Sequence, residues 1–319
     1  MKISESPTLA EIKSASNRIT EYAIRSPLIK LNVPESDREI YLKLENLQPI
    51  GVFKVRSMGN AMLEQDASSL KQGVYTASSG NAGIGLAWMA KKLGLAARVY
   101  TPQSGPKGKL DTMRTLGASI EVLSDDDWWQ VIVNSAHPED PGFYVDAVRS
   151  PAALAGNATM GLEIVEQLPD VDQVIVPFGG GGVACGIASA LKALKPDTKM
   201  IVAESDTAAP VSAALVAGEP KMVETRPSFI SGAGAPIVLN EMWPLVEKLV
   251  DSSLVVPASE VAEAVTTLLL KNHVLTEGAG ALPVAAALGS ELKGKTVCVV
   301  TGGNIDREIL GKILAGEPV

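Results

Sequence analysis

Short apolar segments that end in loops of small residues and lead into helical patterns recur along this chain of 319 residues. The segments are rich in β-branched residues, and the patterns after them repeat apolar residues at helical spacing. Parallel strands need a crossover connection, usually a helix, so this order predicts an α/β fold with parallel, twisted sheets. The most distinctive segments are residues 73–77 before Ser-Ser-Gly-Asn, 173–177 before Phe-Gly-Gly-Gly-Gly, and 296–300 before Thr-Gly-Gly-Asn.

The length of the chain predicts more than one hydrophobic core, because cores stop growing beyond about 250–300 residues. The strand and helix order also restarts near residue 151, so we predict two lobes, each an open, mostly parallel twisted sheet flanked by helices. Locally, Thr8 with Glu11 predicts a capping box, and Ser124 predicts a helix cap. Residues 208–243 give mixed signals and support no assignment.

The glycine run Gly179–Gly182 lies between a predicted central strand and a helix. Its free N–H groups and the helix dipole suit it to bind a phosphate, although a tight strand-to-helix turn is a simpler explanation. A third interpretation also fits. Gly179, Gly181 and Ala184 match the dinucleotide fingerprint, with Glu204 near the position of a ribose-binding acid.

The other two loops carry hydroxyl and amide groups. Ser78, Ser79 and Gly80 could bind a carboxylate while Asn81 donates to a ring oxygen, or the serines could simply cap the following helix. Thr301 ends an apolar strand with a hydroxyl, which could also be a cap. In open parallel sheets ligands bind at the carboxyl ends of the strands, so we expect the three loops to share one site.

Lys54 follows Phe53 at the start of a helix predicted over residues 53–63. The positive end of the helix dipole disfavours an ammonium, so the pKa of Lys54 should fall and leave the neutral amine that imine chemistry requires. A solvated surface lysine is the simpler alternative. A phosphate-bearing aldehyde cofactor would use the lysine and all three loops, whereas a dinucleotide enzyme needs neither the lysine nor the serine loop.

Composition narrows the possible partners and compartment. The formal net charge is −8 without a basic run, which argues against nucleic acid and anionic membrane surfaces as partners. No segment resembles a signal peptide or a membrane span, so we expect a cytoplasmic protein. Cys185 and Cys298 lie in small or apolar runs and should be buried without a disulfide. His137 and His273 are too few for a histidine-rich metal site.

Taken together, these segments resemble the pyridoxal-phosphate enzymes of the tryptophan synthase β fold (fold type II), within them the threonine dehydratase and serine racemase branch. The resemblance covers nearly the whole chain. KLENLQPIGVFKVR is similar to the segment with the family's imine-forming lysine, here Lys54. SSGN is similar to the substrate-carboxylate loop, GGGG to the phosphate cradle, EGAGA to a late helix start and TGGNID to the strand end at the pyridine nitrogen.

The resemblance implies pyridoxal 5′-phosphate as the cofactor, an amino acid as the substrate and a homodimer. It implies a large cofactor-binding domain of residues 1–70 and 151–319 and a small substrate-loop domain of residues 71–150. The implied catalytic residues are Lys54 and Ser79. The implied cofactor-binding residues are Phe53, Lys54, Asn81, Gly179, Gly180, Gly181, Gly182, Val183, Glu277, Thr301 and Gly302, and the implied substrate-binding residues are Ser78, Ser79, Gly80, Asn81 and Ala82.

The implied activity is that of an ammonia-lyase, in which Lys54 removes the α-proton of a threonine- or serine-like amino acid, and a 2-oxo acid and ammonia are released. Thr301 is too weak an acid to keep a pyridine nitrogen protonated, which favours loss of a β-substituent over transamination. Ser79 matches the second acid or base of the racemase branch. A racemase and a lyase for another β-substituted amino acid are therefore alternatives, and a non-catalytic dinucleotide sensor is an alternative from a different class.

The chain departs from the family pattern at three places. Ala82 stands where the family has histidine, which could enlarge the pocket, and Arg149 lies in DAVRSP where relatives have an acidic or polar segment. Arg149 could favour an acidic substrate if it faces the site, or be a charge at a surface hinge. The family's divalent cation site would use Glu204, the carbonyl of Ala208 and a second carboxylate, but Pro210 takes the place of the last, so the sequence leaves the metal undecided.

Overall fold

The computed structural model describes residues 5–33 and 38–319, and it folds around two separate β-sheets. The strands are β1 (Leu28–Lys30), β2 (Ile40–Leu44), β3 (Val74–Ala77), β4 (Ala97–Pro102), β5 (Ser119–Leu123), β6 (Phe143–Tyr144), β7 (Gln173–Pro177), β8 (Lys199–Ser205), β9 (Ser252–Val256) and β10 (Thr296–Val300). The helices are α1 (Leu9–Ile19), α2 (Lys54–Leu63), α3 (Asn81–Leu93), α4 (Lys107–Thr115), α5 (Asp125–Asn134), α6 (Pro151–Gln167), α7 (Gly182–Leu194), α8 (Pro210–Ala217), α9 (Trp243–Leu249), α10 (Ala258–Asn272), α11 (Gly278–Gly289) and α12 (Arg307–Ala315).

The larger sheet has the strand order β1-β2-β10-β7-β8-β9. Only the edge strand β1 runs antiparallel to its neighbour. Side chains of β7 alternate between two buried cores, because successive residues of a strand point to opposite faces. Val174 and Val176 pack in the core that contains α6 and α7, and Ile175 packs in the core that contains α10 and α11.

The smaller sheet has the order β5-β4-β3-β6, with every pair parallel. The prediction of an α/β fold with two mostly parallel sheets is therefore confirmed. Helix α2 connects the two parts of the molecule: Val55, Met58 and Met62 pack in one core cluster with Val74 and Val99 of the small sheet. The helix that carries Lys54 is thus fixed partly by the small sheet, although it precedes that sheet in the chain.

Short elements and edge elements are where the sequence predictions were incomplete. The strands β1, β6 and β9 were not predicted, and neither were the helices α8, α9 and α12. Edge strands such as β1 and β9 bury little surface, so their apolar pattern is weak. The predicted buried, unpaired state of both cysteines is confirmed, and burial raises the pKa of both thiols. Within the described part of the chain, no helix combines the length and apolarity that a membrane crossing requires.

Candidate active site

The carboxyl ends of β3, β7 and β10 meet at a cavity of about 180 Å³ between the two sheets. The cavity is lined by nearly every residue that the sequence singled out: Phe53, Lys54, Ser78, Ser79, Gly80, Asn81, Ala82, Gly179, Gly180, Gly181, Gly182, Val183, Glu277 and Thr301. Gly302 is the exception. It follows the lining residue Thr301, and its carbonyl oxygen accepts a hydrogen bond of 3.0 Å from the backbone N–H of the lining residue Glu277.

Lys54 is the first residue of α2, and its amine reaches the cavity beside the ring of Phe53, 4.8 Å from the ring centroid. The backbone N–H of Phe53 donates to the carbonyl oxygen of Thr301 at 3.0 Å, which ties the lysine to the end of β10. Loss of hydration lowers the pKa of Lys54 to about 8, while the charge of Asp146 opposes this shift. The pKa falls as the sequence predicted, but burial rather than the helix dipole is the main cause.

The Ser-Ser-Gly-Asn loop leads directly into α3, which begins at Asn81. Gly80 occupies the N-cap position and no side chain caps this helix, so the serines do not have the capping role that was the alternative. The Ser78 hydroxyl accepts a hydrogen bond of 3.1 Å from Gly80 N–H. Across residues 5–33 and 38–319, no group hydrogen-bonds to the Ser79 hydroxyl, which leaves it available to a bound molecule.

The tetraglycine turn Gly179–Gly182 leaves no room for side chains. A Cβ on Gly179 would lie 2.6 Å from the carbonyl oxygen of Gly232, and one on Gly180 would lie 2.8 Å from the side chain of Val148. Gly181, the N-cap of α7, has a φ of +91°, which only glycine adopts readily. The turn therefore presents backbone N–H groups at a helix N-terminus, and this arrangement fits a phosphate group.

The alternative of a dinucleotide site required Glu204 to bind a ribose. In the structure both oxygens of Glu204 are already occupied, because they accept hydrogen bonds from Val211 N–H (2.7 Å), Ser212 N–H (2.8 Å) and the Ser253 hydroxyl (2.6 Å). The side chain is fully buried. Glu204 is thus a structural carboxylate, and its burial keeps it out of reach of a ribose.

Thr301 also lines the cavity. Its side chain is 2% exposed, lines the cavity and hydrogen-bonds to no other group in the described part of the chain. The hydroxyl is therefore free to pair with a ring nitrogen, and it is a weak acid. After the glycine turn, this hydroxyl, which opens onto the cavity without a protein partner, is a second feature that fits a bound heterocycle.

A polar network at the mouth of the cavity was not predicted from the sequence. Glu277 accepts hydrogen bonds from Asn81 and from Lys109, whose Nζ lies 2.6 Å from its Oε2, and Asn304 donates to Asn81 at 3.1 Å. Asn81 and Lys109 belong to helices of the small sheet, whereas Glu277 precedes α11 next to the large sheet. A lysine in the first turn of α4, where the helix dipole disfavours a cation, was the available signal that a counter-charge lies nearby.

Arg149 neither faces the cavity nor lies at a surface hinge, so neither sequence interpretation is correct. It is 7% exposed and pairs with Asp146 at 2.8 Å. Its guanidinium also donates to the carbonyl oxygens of Ile132 and Val133 at the end of α5. The arginine therefore stabilises the connection between β6 and α6, and it cannot attract an acidic substrate.

Substituting Gly181 tests the glycine turn. We expect Gly181→Ala to weaken cofactor binding roughly tenfold, because a non-glycine residue at this φ costs about 1–3 kcal/mol and relief of that strain would tilt the N–H groups. The measurement is the cofactor dissociation constant from titration of the apoenzyme. Gly218→Ala is the matched control: its φ is +71° and nothing lies near its Cβ position. Equal affinities in the two variants would contradict the assignment of the turn.

Comparisons with known proteins agree with this geometry. The family model described as "Pyridoxal-phosphate dependent enzyme" matches residues 19–302. The L-threonine ammonia-lyase of Geobacter sulfurreducens is 35% identical over 95% of this chain and 77% of its own length, and that of Thermotoga maritima is 34% identical over 96% and 78%. The structure of maize serine racemase superimposes with a TM-score of 0.88 at 28% identity, covering 98% of each chain.

Proposed function

Since the chain belongs to the family of pyridoxal-phosphate dependent enzymes, with the fold type II architecture, we propose that it is an ammonia-lyase. Its reaction converts a β-hydroxy amino acid of the threonine or serine type to a 2-oxo acid and ammonia. The single observation that carries this proposal is the meeting of one desolvated lysine, one anion-binding turn, one hydroxyl-lined loop and one unpaired threonine hydroxyl around one cavity.

The residues present fit the cofactor. Lys54 would hold its aldehyde carbon, the N–H groups of Gly179–Gly182 its phosphate, and the Thr301 hydroxyl its ring nitrogen. When bound, the cofactor withdraws electrons from the α-carbon of the amino acid. The loop from Ser78 to Ala82 supports binding of the substrate carboxylate, because N–H groups in the first turn of α3 have no partner within the helix.

Once the amino group of the substrate has replaced Lys54 at the aldehyde carbon, the freed amine of Lys54 would move the α-proton. Its pKa of about 8 lets the amine accept a proton near neutral pH and release it again, which suits a general base. Glycine, alanine and valine residues form much of the cavity lining around this amine. Thr301 favours elimination, because a hydroxyl leaves the ring nitrogen without the proton that a carboxylate would maintain.

The activity is tested by incubating the holoenzyme with a panel of β-substituted L-amino acids, including threonine, serine and 3-hydroxyaspartate, and measuring 2-oxo acid and ammonia. We expect equal amounts of both products from a β-hydroxy substrate. An enzyme that carries the cofactor and releases neither product from any member of the panel would refute the proposal. Exchanging Ala82→His in the same assay tests our proposal that the small side chain sets the size of accepted substrates.

A racemase is the second candidate, and the Ser79 hydroxyl is the observation that favours it. This hydroxyl lines the cavity without a protein partner, so it can deliver a proton to the α-carbon if it lies on the face opposite Lys54. Chiral chromatography of the remaining amino acid separates the two activities. Racemisation that disappears in Ser79→Ala while elimination persists would assign both activities to this site.

We expect Lys109 to be required for full catalytic efficiency (kcat/KM). Lys109→Met leaves the carboxylate of Glu277 without its cation between the two sheets, so we expect kcat/KM to fall about 10- to 100-fold. Steady-state kinetics measure this effect. The control is Lys107→Met, which removes an exposed lysine of the same helix and should leave the kinetics unchanged. A comparable loss in both variants would attribute the effect to the charge of α4 as a whole.

We also propose that the protein is a cytoplasmic homodimer. Within each chain, we propose that residues 71–150 form a small domain and that residues 1–70 and 151–319 form a large one. Two free, buried cysteines suit a reducing compartment. The exposed Leu270 and Leu314, 62% and 45% accessible, support an apolar contact surface beside α10 and α12. Sedimentation equilibrium and cell fractionation test these points.

A further inference from the structure

The end of β8 is where the family resemblance implies a divalent cation, with Glu204 as one ligand. In the structure the Glu204 carboxylate faces three hydrogen-bond donors and is fully buried. Oε1 accepts from Val211 N–H at 2.7 Å, and Oε2 accepts from Ser212 N–H at 2.8 Å and from the Ser253 hydroxyl at 2.6 Å. A cation bound here would have to displace donor hydrogens that already point at these oxygens.

The two backbone donors belong to the first turn of α8. Helix α8 begins with Pro210, which has no N–H, so Val211 and Ser212 carry the first free N–H groups of the helix. No side chain of the preceding N-cap residue bonds to them. Glu204 therefore caps α8 from a neighbouring strand, with its negative charge at the positive end of the helix dipole.

The other ligands that a hard cation needs are missing from the same place. Pro210 stands in the position of the second carboxylate. The nearest acid along the chain, Asp206, is occupied by Arg226 at 2.9 Å and by Ala258 N–H at 3.1 Å. Within the described ranges, His, Cys, Asp and Glu nowhere form a group of three that could hold a metal ion. Calcium requires six to eight oxygen ligands, so these residues do not fit the cation.

We propose that in this protein Glu204 holds α8 and β9 at the end of β8 without a cation, and that neither folding nor catalysis responds to Mg²⁺ or Ca²⁺. The carboxylate joins three elements directly: β8 carries it, α8 supplies two donors and β9 supplies Ser253. Since β9 is an edge strand, this joint also holds that edge against β8. The inference concerns stability first, so it does not depend on the proposed reaction.

The test begins with the thermal unfolding of the holoenzyme after dialysis against EDTA. The measurement is repeated with 5 mM MgCl₂ or CaCl₂ added, a cation concentration of about 100 times the dissociation constant of a moderately tight site. A cation that binds the native state with such an excess would raise Tm by roughly 5 °C for a chain of this size. We expect no shift and the same turnover rate in all three buffers. A saturable rise in Tm would overturn the proposal.

Two variants test whether the Glu204 carboxylate acts as a hydrogen-bond acceptor for α8 and β9 or as a cation ligand. Glu204→Gln keeps the side-chain volume but weakens the acceptor, and we expect Tm to fall by the same amount with EDTA and with CaCl₂. Ser253→Ala removes one donor and should produce a smaller drop, again independent of cations. If Glu204 were a cation ligand, EDTA would bring the wild type down to the level of Glu204→Gln, and CaCl₂ would restore only the wild type. Ser253→Ala keeps the test decisive even if Glu204→Gln does not fold.

Discussion

Lys54→Ala is expected to abolish turnover, with a loss of about 10³-fold or more, because the variant lacks both the amine that binds the cofactor and the base that moves the α-proton. The measurement is 2-oxo acid release under substrate saturation. The visible absorbance of the lysine-bound cofactor should disappear in the same variant. Lys54→Arg is the matched control for charge and bulk: a guanidinium does not lose its proton, so it should be equally inactive.

Both variants should remain folded, because Lys54 makes no ion pair within the described part of the chain. Circular dichroism and unfolding curves like those of the wild type would establish this. A folded Lys54→Ala variant with full turnover would refute the mechanism. Loss of turnover together with loss of structure would instead mean that the lysine has a structural role.

The pH dependence of cofactor uptake is a second test, which concerns the lowered pKa of Lys54. Desolvation lowers its pKa from 10.5 to about 8, so the neutral, reactive amine appears at lower pH than on an ordinary lysine. The rate at which the apoenzyme takes up the cofactor should rise with pH and level off above about 8. A plateau only near 10.5 would show a solvated amine. Asp146→Asn should move the midpoint to still lower pH, because the charge of Asp146 favours the protonated form.

Arg56→Met is expected to lower the free energy of unfolding by about 3–5 kcal/mol, because it leaves the buried carboxylate of Glu45 without its cation. Arg56 is 2% exposed and pairs with Glu45 at 2.8 Å and Glu163 at 2.7 Å. Burial alone would lower the pKa of Arg56, yet the charges of both carboxylates raise it. Lys43 also pairs with Glu163 at 2.5 Å, so Glu163 keeps a cation in the variant. The loss of pairing therefore falls mainly on Glu45.

Urea unfolding measures this change. The control is Arg114→Met, which breaks the pair with Asp111 on the surface, where both side chains are more than half exposed. That pair should contribute no more than about 1 kcal/mol. Similar losses for the two arginines would contradict the role of the buried cluster. Since Arg56 lies two residues beyond Lys54 on α2, a lowered cofactor affinity should accompany the loss of stability.

The same cluster predicts an acid limit. Burial alone would raise the pKa of Glu45, but the charge of Arg56 and their hydrogen bond hold it below its ordinary value of 4.5. A carboxyl whose pKa is lower in the folded state stabilises the protein above the unfolded pKa. This contribution is therefore present above pH 4.5 and is lost as the pH falls through the folded pKa. Arg56→Met should remove that part of the pH dependence from unfolding curves.

Much of the architecture was predictable because it depends on neighbours in the chain. Apolar strands such as Gln173–Pro177 and Thr296–Val300 follow from runs of β-branched residues. The Thr8 and Glu11 capping box and the Ser124 cap form between residues three apart. The site residues could be collected for a related reason: loops after parallel strands converge at one edge of a sheet.

The sequence by itself determined most of the strands, which loops can approach a ligand, and that one lysine begins the helix beside them. Only the tertiary structure decided which charges meet. Glu204 caps α8 instead of binding a ribose or a cation, Arg149 is buried, and Lys109 reaches Glu277 across the cavity. Apart from the local pair of Arg149 with Asp146, these contacts join residues on separate elements, so the packing and register of those elements set the partners, and a local sequence pattern does not identify them.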